Sequence, residues 1–258
     1  MNRRGFLAKG LIGGSALGLS GCKVLDGLAE EDGALHSAIA SANGLTYRAQ
    51  RLIGGGHTLA PEYTEADIRQ PQRPNGSTNP GSADYLALQA GGFADYRLTV
   101  GGLVAEPLSL SLEALKALPS RTQITRHDCV EGWSCIAKWT GVPLAAVLDR
   151  ARPTAAARFA VFHCYDVIEQ SLAGGILYYE SIDLIDARHP QTILAYGMNG
   201  APLPVQNGAP LRLRVERQLG YKMAKYVRAI ELAADLGGFG EGHGSYWADQ
   251  GYDWYAGI

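Results

Sequence analysis

Cys129 stands in a stretch, residues 125–144, whose residue types suit chemistry better than packing: TRHDCVEGWSCIAKWTGVPL. Arg126 and His127 lie near enough in sequence to stabilise a thiolate at Cys129. A thiolate binds soft metals or attacks electrophiles. Free cysteine is also commonly buried as a small apolar residue, so the stretch by itself leaves a reactive and a packed Cys129 equally open.

A second polar cluster follows in the segments QNGAPLRLRV and GYKMAKYV. Convergent cations at strand ends suit a phosphate or another anionic group of a bound cofactor, and nearby glycines let the backbone approach it closely. The alternative is a solvated strand face on which arginines alternate. The residues concerned are Asn207, Arg212, Arg214, Lys222 and Lys225, with Gly208 and Gly220 beside them.

Residues 1–22 have the layout of an export signal, with a basic head, a weakly hydrophobic middle and a small-residue end. The pair Arg3-Arg4 before Gly-Phe-Leu predicts a twin-arginine signal. The apolar stretch from Leu11 to Leu19 is well short of the ~20 residues that span a bilayer. Leu19-Ser20-Gly21-Cys22 resembles a lipobox and predicts lipidation of Cys22; an ordinary cleaved signal is the alternative.

Removal of the signal would leave three cysteines, Cys129, Cys135 and Cys164. An odd thiol in an oxidising compartment is safest when a metal holds it, which favours a metal site. The sequence has no CxxC and no HExxH, so a zinc site has little support. A cysteine-protease pair of Cys129 with His127 or His163 lacks a nucleophile signature. A disulfide between Cys135 and Cys164 stays open.

The composition is that of a soluble globular protein with 47% hydrophobic and 19% charged residues. Its 23 basic and 25 acidic residues give a net charge of −2, so no nucleic-acid partner is predicted. The 33 glycines and 12 prolines favour a fold rich in strands and loops.

Hydrophobic periodicity predicts an α+β fold, mixed and strand-rich, over residues 95–235. Residues 23–94 are predicted to form a tether and an irregular segment that wraps the core, with a short helix at 34–42. The aromatic tail 236–258 is expected to pack on the domain. Within 95–235, we predict strands in YRLTVGGLV, TQITRHDCV and RFAVFHCYD, helices in LSLSLEALKALP and in VPLAAVLDRA, and a turn at Asn199-Gly200.

The order of the segments LTVGGLVAEPLSLSLEALKALP, TRHDCVEGWSCIAKWTGVPL, HPQTILAYGMNGAPLPVQNGAPLRLRV and GYKMAKYV resembles the molybdopterin-binding domain of the sulfite oxidase family. The resemblance covers residues 95–235, with a weaker echo at 71–80. It is closest to the bacterial branch that includes the catalytic subunit of the periplasmic methionine sulfoxide reductase. In that branch the cysteine is followed by Val-Glu, an aromatic residue and Ser.

The resemblance implies a molybdenum atom bound by the two sulfurs of a pterin dithiolene and by the thiolate of Cys129. It further implies that Asn207 and Arg212 contact the pterin and its phosphate. Its remaining implied cofactor contacts are Met223, Ala224 and Lys225, together with Asn75, Thr78, His163 and Cys164.

One departure from the family bears on the substrate. Sulfite oxidases proper follow the cysteine with an Asn-Arg-Arg-type stretch that binds the sulfite anion, whereas this chain has VEGWSC. The resemblance therefore implies oxygen-atom transfer with a neutral substrate such as a sulfoxide or another S- or N-oxide. Sulfite dehydrogenation, or a protein that holds the cofactor without turnover, are the alternatives.

A CxxCH haem motif is absent from the sequence, so a separate redox partner is expected. A membrane cytochrome or quinol-linked donor would suit a periplasmic protein anchored through Cys22.

Overall fold

A computed structural model describes residues 44–45, 47–49, 51–52, 58–171 and 174–258. The chain forms two compact units, Met1–Ile53 and Gly54–Ile258. The described residues of the first unit are helical. The predicted export signal, the lipid site at Cys22 and the predicted helix at 34–42 lie outside the described residues. All chemistry discussed below belongs to the second unit.

The second unit contains strands from two sheets and several short helices. In chain order the strands are β1 Arg97–Gly102, β2 Leu108–Ser111, β3 Arg121–Asp128, β4 Ser134–Pro143, β5 Phe159–Ser171, β6 Gly174–Asp183, β7 Ile193–Met198, β8 Ala201–Pro202, β9 Arg212–Arg214 and β10 Val227–Ala233. The α-helices are α1 Ala83–Ala90, α2 Leu112–Lys116, α3 Leu144–Ala151, α4 Leu184–Ala187 and α5 Tyr246–Asp249. Short 3-10 turns span Glu65–Asp67, Val205–Asn207 and Gly220–Lys222.

One sheet has the order β2-β1-β10-β5-β6, and only its β1–β10 pair is parallel. The other sheet has the order β3-β4-β7-β8, with β9 pairing β7. Mixed sheets joined by short helices confirm the predicted α+β, strand-rich class. The Asn199-Gly200 turn between β7 and β8 is also confirmed, since both residues have positive φ, 52° and 81°.

Side chains from both sheets and from α3 form one buried hydrophobic cluster. Leu144, Val147 and Leu148 of α3 are fully buried, as the helical periodicity predicts. Each such side chain contributes about 1.5–3 kcal/mol relative to exposure. This shared core holds the ends of strands from both sheets in fixed relative positions.

The segment LSLSLEALKALP was predicted to be one Ser-capped helix, and this is half wrong. Its first residues form β2, because Leu108 and Leu110 pair with β1 and alternate as strand residues do. The helix α2 begins only at Leu112. Its cap is a serine as predicted: Ser111 Oγ accepts a hydrogen bond from Ala114 N at 3.1 Å.

The residues before and after the sheets lie against them. Tyr63 N donates to Ile124 O at 2.8 Å, and Arg69 N donates to Ile136 O at 3.1 Å, so the segment 58–78 runs along β3 and β4. At the other end of the chain, Leu219 N donates to Ala256 O at 2.9 Å. The segment before the sheets thus packs on β3 and β4, and the C-terminal segment packs on the residues just before the Gly220–Lys222 turn.

None of the helices in the described part of the chain is long and apolar enough to cross a bilayer.

Candidate functional site

Cys129 lies in the tight loop that joins β3 to β4. The strands pair up to Asp128↔Ser134, and the loop closes through hydrogen bonds from Cys129 N to Trp133 O and from Gly132 N to Cys129 O. Gly132 has φ +84°, a conformation that favours glycine. The strand end thereby presents the Cys129 side chain at a cavity, as the sequence predicts.

This cavity, called the Cys129 cavity below, has a volume of about 160 Å³. It collects residues from the N-terminal segment, the two sheets, the Gly220–Lys222 turn and the C-terminal segment. Its lining residues are Asn75, Gly76, Ser77, Cys129, Val130, Glu131, Asp166, Ile168, Tyr178, Tyr221, Met223, Lys225, Trp247 and Tyr252.

The cationic cluster is buried, which rules out the solvated strand face. Asn207, Arg212, Arg214, Lys222 and Lys225 are each at most 5% exposed. Buried charges require partners, so the partner of each cation decides what it can do. They fall into two groups.

Arg214 and Lys222 are neutralised inside the protein. Arg214 donates to both carboxylate oxygens of Glu216, at 2.9 and 2.6 Å, and Lys222 forms an ion pair with Glu180. All four of these side chains are fully buried. These two cations therefore stabilise the core and are not available to a ligand.

Arg212 and Lys225 have backbone and amide oxygens as partners in place of carboxylates. Arg212 donates to Asn207 O and to Asn75 Oδ1, both at 3.0 Å. Lys225 Nζ donates to Asn75 O at 2.6 Å, to Gln206 O at 3.1 Å and to Ser77 O. Among the residues that the structure describes, their positive charges are thus hydrogen-bonded but not neutralised by an ion pair.

The pKa values of these two groups reflect that imbalance. Burial, with the charge of Arg212 nearby, lowers the pKa of Lys225 to about 7, and burial next to Arg214 lowers the pKa of Arg212 to about 9. An anion bound beside them would stabilise both charged forms and raise both pKa values. The site is therefore built to receive a negative group.

Arg126 and His127 do not stabilise a Cys129 thiolate, contrary to the prediction. Strand alternation sends Arg126 to the exposed face, where it pairs with Asp128 at 2.8 Å. His127 is buried and its Nδ1 lies 3.1 Å from Arg214. Burial and the nearby arginines lower the pKa of His127, which keeps it neutral, while burial raises the pKa of the Cys129 thiol.

Several buried polar atoms at the cation cluster and the cavity have no hydrogen-bond partner within the part of the chain that the structure describes: Asp166 Oδ1, Asn207 Oδ1, Arg212 Nε and His127 Nε2. Orphaned buried polar atoms are rare and costly. A ligand with its own donors, acceptors and negative charge would satisfy them. With a thiol and two unneutralised cations, this donor set fits a pterin cofactor that carries a phosphate and a thiolate-ligated metal.

The backbone at this site also approaches other groups closely. A Cβ at Gly208 would meet the Cβ atoms of Lys225 and Arg212 at 3.0 and 3.2 Å, and a Cβ at Gly220 would meet the imidazole of His127 at 2.3 Å. These glycines allow the cation cluster and the Gly220–Lys222 turn to pack together, as predicted for close backbone approach.

Among the predicted cofactor residues, Cys129, Asn75, Met223 and Lys225 line the cavity. Asn207 and Arg212 lie directly behind it through the hydrogen bonds given above. Ala224 is buried, and its carbonyl accepts from Leu213 N at 2.8 Å. The structure thus brings together most of the predicted set.

Three predicted residues are not brought to the cavity. Thr78 is exposed, and its neighbour Ser77 faces the cluster. His163 and Cys164 are successive strand residues and so point to opposite faces of β5. His163 lies 3.1 Å from Glu231, outside the cavity, and Cys164 is fully buried in the core. Their predicted pterin contacts stay predictions.

The three cysteines of the described residues, Cys129, Cys135 and Cys164, are all free thiols. Cys135 Sγ donates to Gln72 Oε1 at 3.1 Å. The disulfide that the sequence left open is therefore not formed.

Sequence reasoning missed several lining residues. Asp166 accepts a hydrogen bond from Ser77 Oγ at 2.9 Å and lies on the inward face of β5, where a lone acid among apolar residues was a detectable signal. Burial raises its pKa. Tyr178 and Tyr221, which also line the cavity, carry no local signal because tyrosine is an ordinary core residue type. Trp247 and Tyr252 were not missed, since they belong to the aromatic tail YWADQGYDWY, for which the sequence left both plain packing and a substrate or docking surface open.

A family model described as an oxidoreductase molybdopterin-binding domain matches residues 87–236. The chain is 36% identical over 256 residues, 99% of its length and 87% of the relative's, to "Putative protein-methionine-sulfoxide reductase subunit YedZ1" of Azospira oryzae. It is 42% identical over 149 residues to "Protein-methionine-sulfoxide reductase catalytic subunit MsrP" of Xanthomonas axonopodis pv. citri. That second match covers 55% of this chain and 46% of the relative.

A solved structure, the sulfane dehydrogenase SoxCD from Paracoccus pantotrophus, is similar over 55% of this chain and 39% of its own, with 22% identity and a TM-score of 0.48.

Proposed function

The chain belongs to the oxidoreductase molybdopterin-binding domain family, and from that membership we propose that it reduces an organic sulfoxide with electrons from a membrane-bound partner. It is a molybdenum-pterin oxidoreductase of the sulfite oxidase type. The observation that carries the proposal is the Cys129 cavity itself. There the Cys129 thiol lies with Lys225, a buried cation that no carboxylate of the described residues neutralises, and with orphaned polar atoms close by.

Different residues of the chain would bind different parts of the cofactor. Cys129 would ligate the metal, losing its thiol proton on binding. Lys225 and Arg212 would bind the phosphate, and Asn207 and Asn75 orient these two cations through the contacts already described. When bound, the molybdenum-pterin group supplies two-electron oxygen-atom transfer chemistry.

The overall reaction breaks the S=O bond of a sulfoxide. The sulfur gains two electrons and becomes a thioether, and the oxygen leaves as water after taking up two protons. The carboxyl of Asp166 lies on the cavity wall, and its Oδ1 has no hydrogen-bond partner among the described residues. Burial raises the pKa of this carboxyl, which favours the protonated form that can donate to a ligand there. Ser77 holds the other oxygen of this carboxyl in place.

A neutral substrate is favoured over sulfite by the charges of the wall. The ionisable lining residues are Glu131, Asp166 and Lys225. Lys225 is assigned above to the cofactor phosphate, which leaves the carboxylate of Glu131 to repel an anionic substrate. The two sulfoxide reductases among the relatives support the same direction.

The electron source and the location are proposed from the sequence. Because the sequence has no CxxCH motif for a covalent haem, a separate membrane cytochrome or quinol-linked donor would supply electrons one at a time. We place the protein in the periplasm, exported by a twin-arginine signal, with a lipid on Cys22 as its anchor.

The decisive test uses the full chain, exported from a host that makes molybdopterin. Purified protein is analysed for molybdenum and pterin, then assayed for sulfoxide-dependent oxidation of a reduced viologen and for sulfite-dependent reduction of ferricyanide. We expect about one molybdenum per chain and sulfoxide reduction without sulfite oxidation. Cys129→Ser should abolish turnover while the circular dichroism spectrum stays that of the wild type.

Two results would contradict the proposal. Sulfite oxidation without sulfoxide reduction would reassign the enzyme as a sulfite dehydrogenase. Protein that folds and is exported without molybdenum or pterin would make it a non-catalytic member.

A further inference from the structure

The wall of the Cys129 cavity is completed by residues outside the family match. The match ends at residue 236, and the C-terminal segment beyond it contributes Trp247 and Tyr252 to the lining. The family match by itself therefore assigns no role to these two residues.

The two rings belong to a continuous aromatic group. Trp247 and Tyr252 lie 5.1 Å apart between ring centroids, and Tyr252 lies 5.5 Å from Tyr221, edge to face. Tyr246 joins Trp247 to Tyr178 at 5.2 and 6.1 Å. Four of the five rings line the cavity, so one side of it is an aromatic surface. We call this surface, formed by Tyr178, Tyr221, Trp247 and Tyr252, the aromatic wall.

The C-terminal half of the aromatic wall is held in a defined conformation. Ser245 Oγ caps α5 by accepting from Ala248 N at 3.1 Å. Tyr252 N donates to Trp247 O at 2.9 Å across a turn in which Gly251 has φ +86°, and this turn sets the two rings side by side. Asp249 accepts from Tyr179 Oη at 2.6 Å, which ties α5 to β6.

The remaining lining groups favour the same kind of ligand. Val130 and Ile168 add aliphatic surface to the wall. Aromatic rings make favourable contacts with thioether sulfur, and they stack on flat apolar groups. A small anion has nothing to gain from such a surface.

We propose that Trp247 and Tyr252 are specificity-determining residues that select neutral S-oxides carrying an aromatic or other bulky apolar substituent on sulfur. This inference rests on the proposed sulfoxide reduction. It assigns the apolar substituent to the aromatic wall, and the S=O group to the side of the cavity that holds Cys129.

The experiment compares two neutral sulfoxides that differ in this substituent, methyl p-tolyl sulfoxide and dimethyl sulfoxide. The cofactor-loaded full chain and its variants Trp247→Leu, Tyr252→Leu and Trp247→Phe are assayed with reduced viologen, and molybdenum content is measured in each. Phe239→Leu is the matched control, since Phe239 belongs to the same C-terminal segment and packs near His163, outside the Cys129 cavity.

We expect the ratio of kcat/KM for the aryl sulfoxide over dimethyl sulfoxide to fall by about tenfold in each Leu variant. The ratio should stay within about threefold of wild type in Trp247→Phe, which keeps an aromatic face, and in Phe239→Leu. Unchanged ratios in both Leu variants would overturn the inference, as would an equal fall in Phe239→Leu.

Failure of the proposed function has a different signature. If the wild type reduces neither sulfoxide, the proposed function is wrong, and the aromatic wall is then judged by calorimetric binding of methyl p-tolyl sulfoxide to loaded protein. Binding about tenfold weaker in Trp247→Leu than in wild type supports the wall as a recognition surface. Equal binding, or none in the wild type, refutes it.

Discussion

Asn75 and Lys225, 150 residues apart in the chain, are joined by a 2.6 Å hydrogen bond from Lys225 Nζ to Asn75 O. The side chain of Asn75 simultaneously accepts from Arg212. One residue of the irregular N-terminal segment therefore positions both unneutralised cations of the site. This makes the segment part of the proposed cofactor site as well as a covering of the sheets.

Replacing Asn75 by Ala should weaken cofactor retention, because Arg212 loses its side-chain acceptor while the backbone bond to Lys225 remains. We expect pterin and molybdenum content to fall several-fold and the cofactor-free protein to lose about 1.5–3 kcal/mol of unfolding free energy. Both are measured on purified protein, by elemental analysis and urea denaturation. Asn79→Ala is the control, since exposed Asn79 only accepts from Gly81 N; equal loss in both variants would contradict the assigned role.

The pH dependence of stability should report the buried charge of Lys225. Its pKa is about 7 in the folded protein against 10.5 for an ordinary lysine, so the unfolded chain binds more protons between these values. Stability of the cofactor-free protein should therefore gain from this group as the pH rises from 7 toward 10. Urea titrations at pH 7, 8 and 9 give the free energy of unfolding of the wild type and of Lys225→Met. The value of the wild type minus that of the variant should increase as the pH rises. A pH-independent difference would show that the ammonium is not desolvated.

The buried pair of Lys222 and Glu180 should be strongly coupled. Glu180→Gln leaves a fully buried ammonium without its carboxylate, and we expect a loss of about 3–5 kcal/mol in unfolding free energy. The double variant Glu180→Gln/Lys222→Met should recover a large part of that loss, which keeps the test informative even if the single variant does not fold. Asp149→Asn, which breaks the exposed pair with Arg188, should cost at most about 1 kcal/mol. Equal costs for the buried and exposed changes would refute the prediction.

Gly220→Ala should disturb the turn that carries Tyr221 and Met223 into the cavity. The added methyl would meet the buried His127 ring at 2.3 Å, so the turn must move, at a cost of about 1–3 kcal/mol. Gly101→Ala, where a methyl meets nothing within 4 Å, should change stability by less than about 1 kcal/mol. Thermal unfolding of the two variants checks this. Similar unfolding midpoints would show that the His127 ring moves aside at little cost, which would contradict the prediction.

Export through the twin-arginine route is tested by the variant Arg3→Lys/Arg4→Lys. Because that route requires the arginine pair, we expect the variant to accumulate in the cytoplasm while the wild type reaches the periplasm. Cell fractionation with antibody detection measures this. A Cys22→Ala variant that is exported but no longer sediments with membranes would support lipidation, whereas unchanged membrane association would exclude it.

Much of the fold could be predicted from local patterns. Alternation in TQITRHDCV and RFAVFHCYD placed β3 and β5, and helical periodicity placed α3 with its buried Leu144, Val147 and Leu148. These signals are reliable because strand and helix periodicities are local properties of the chain. The half-strand, half-helix segment around Leu108–Ser111 was misjudged since its leucines fit either period until β1 supplies a pairing partner.

The candidate site, too, could be predicted from the sequence only in part. Order and spacing of the motifs identified Cys129, Asn207, Arg212 and Lys225 and, through the family resemblance, the cofactor. Residue spacing alone could not separate the available cations from the neutralised ones. That distinction depends on carboxylates, Glu180 and Glu216, which only folding brings within hydrogen-bond distance.

The sequence by itself therefore determined the strand that ends at Cys129, the cations that follow and the family to which both belong. Only the tertiary structure decided that Arg212 and Lys225 have no carboxylate partner in the described part of the chain, that His163 turns away from the cavity, and that Trp247 and Tyr252 complete its wall. The physical reason is the distance along the chain over which each effect acts. Periodicity acts over a few neighbouring residues, whereas desolvation, charge pairing and the shape of a cavity depend on segments that are distant in the chain and meet only when it folds.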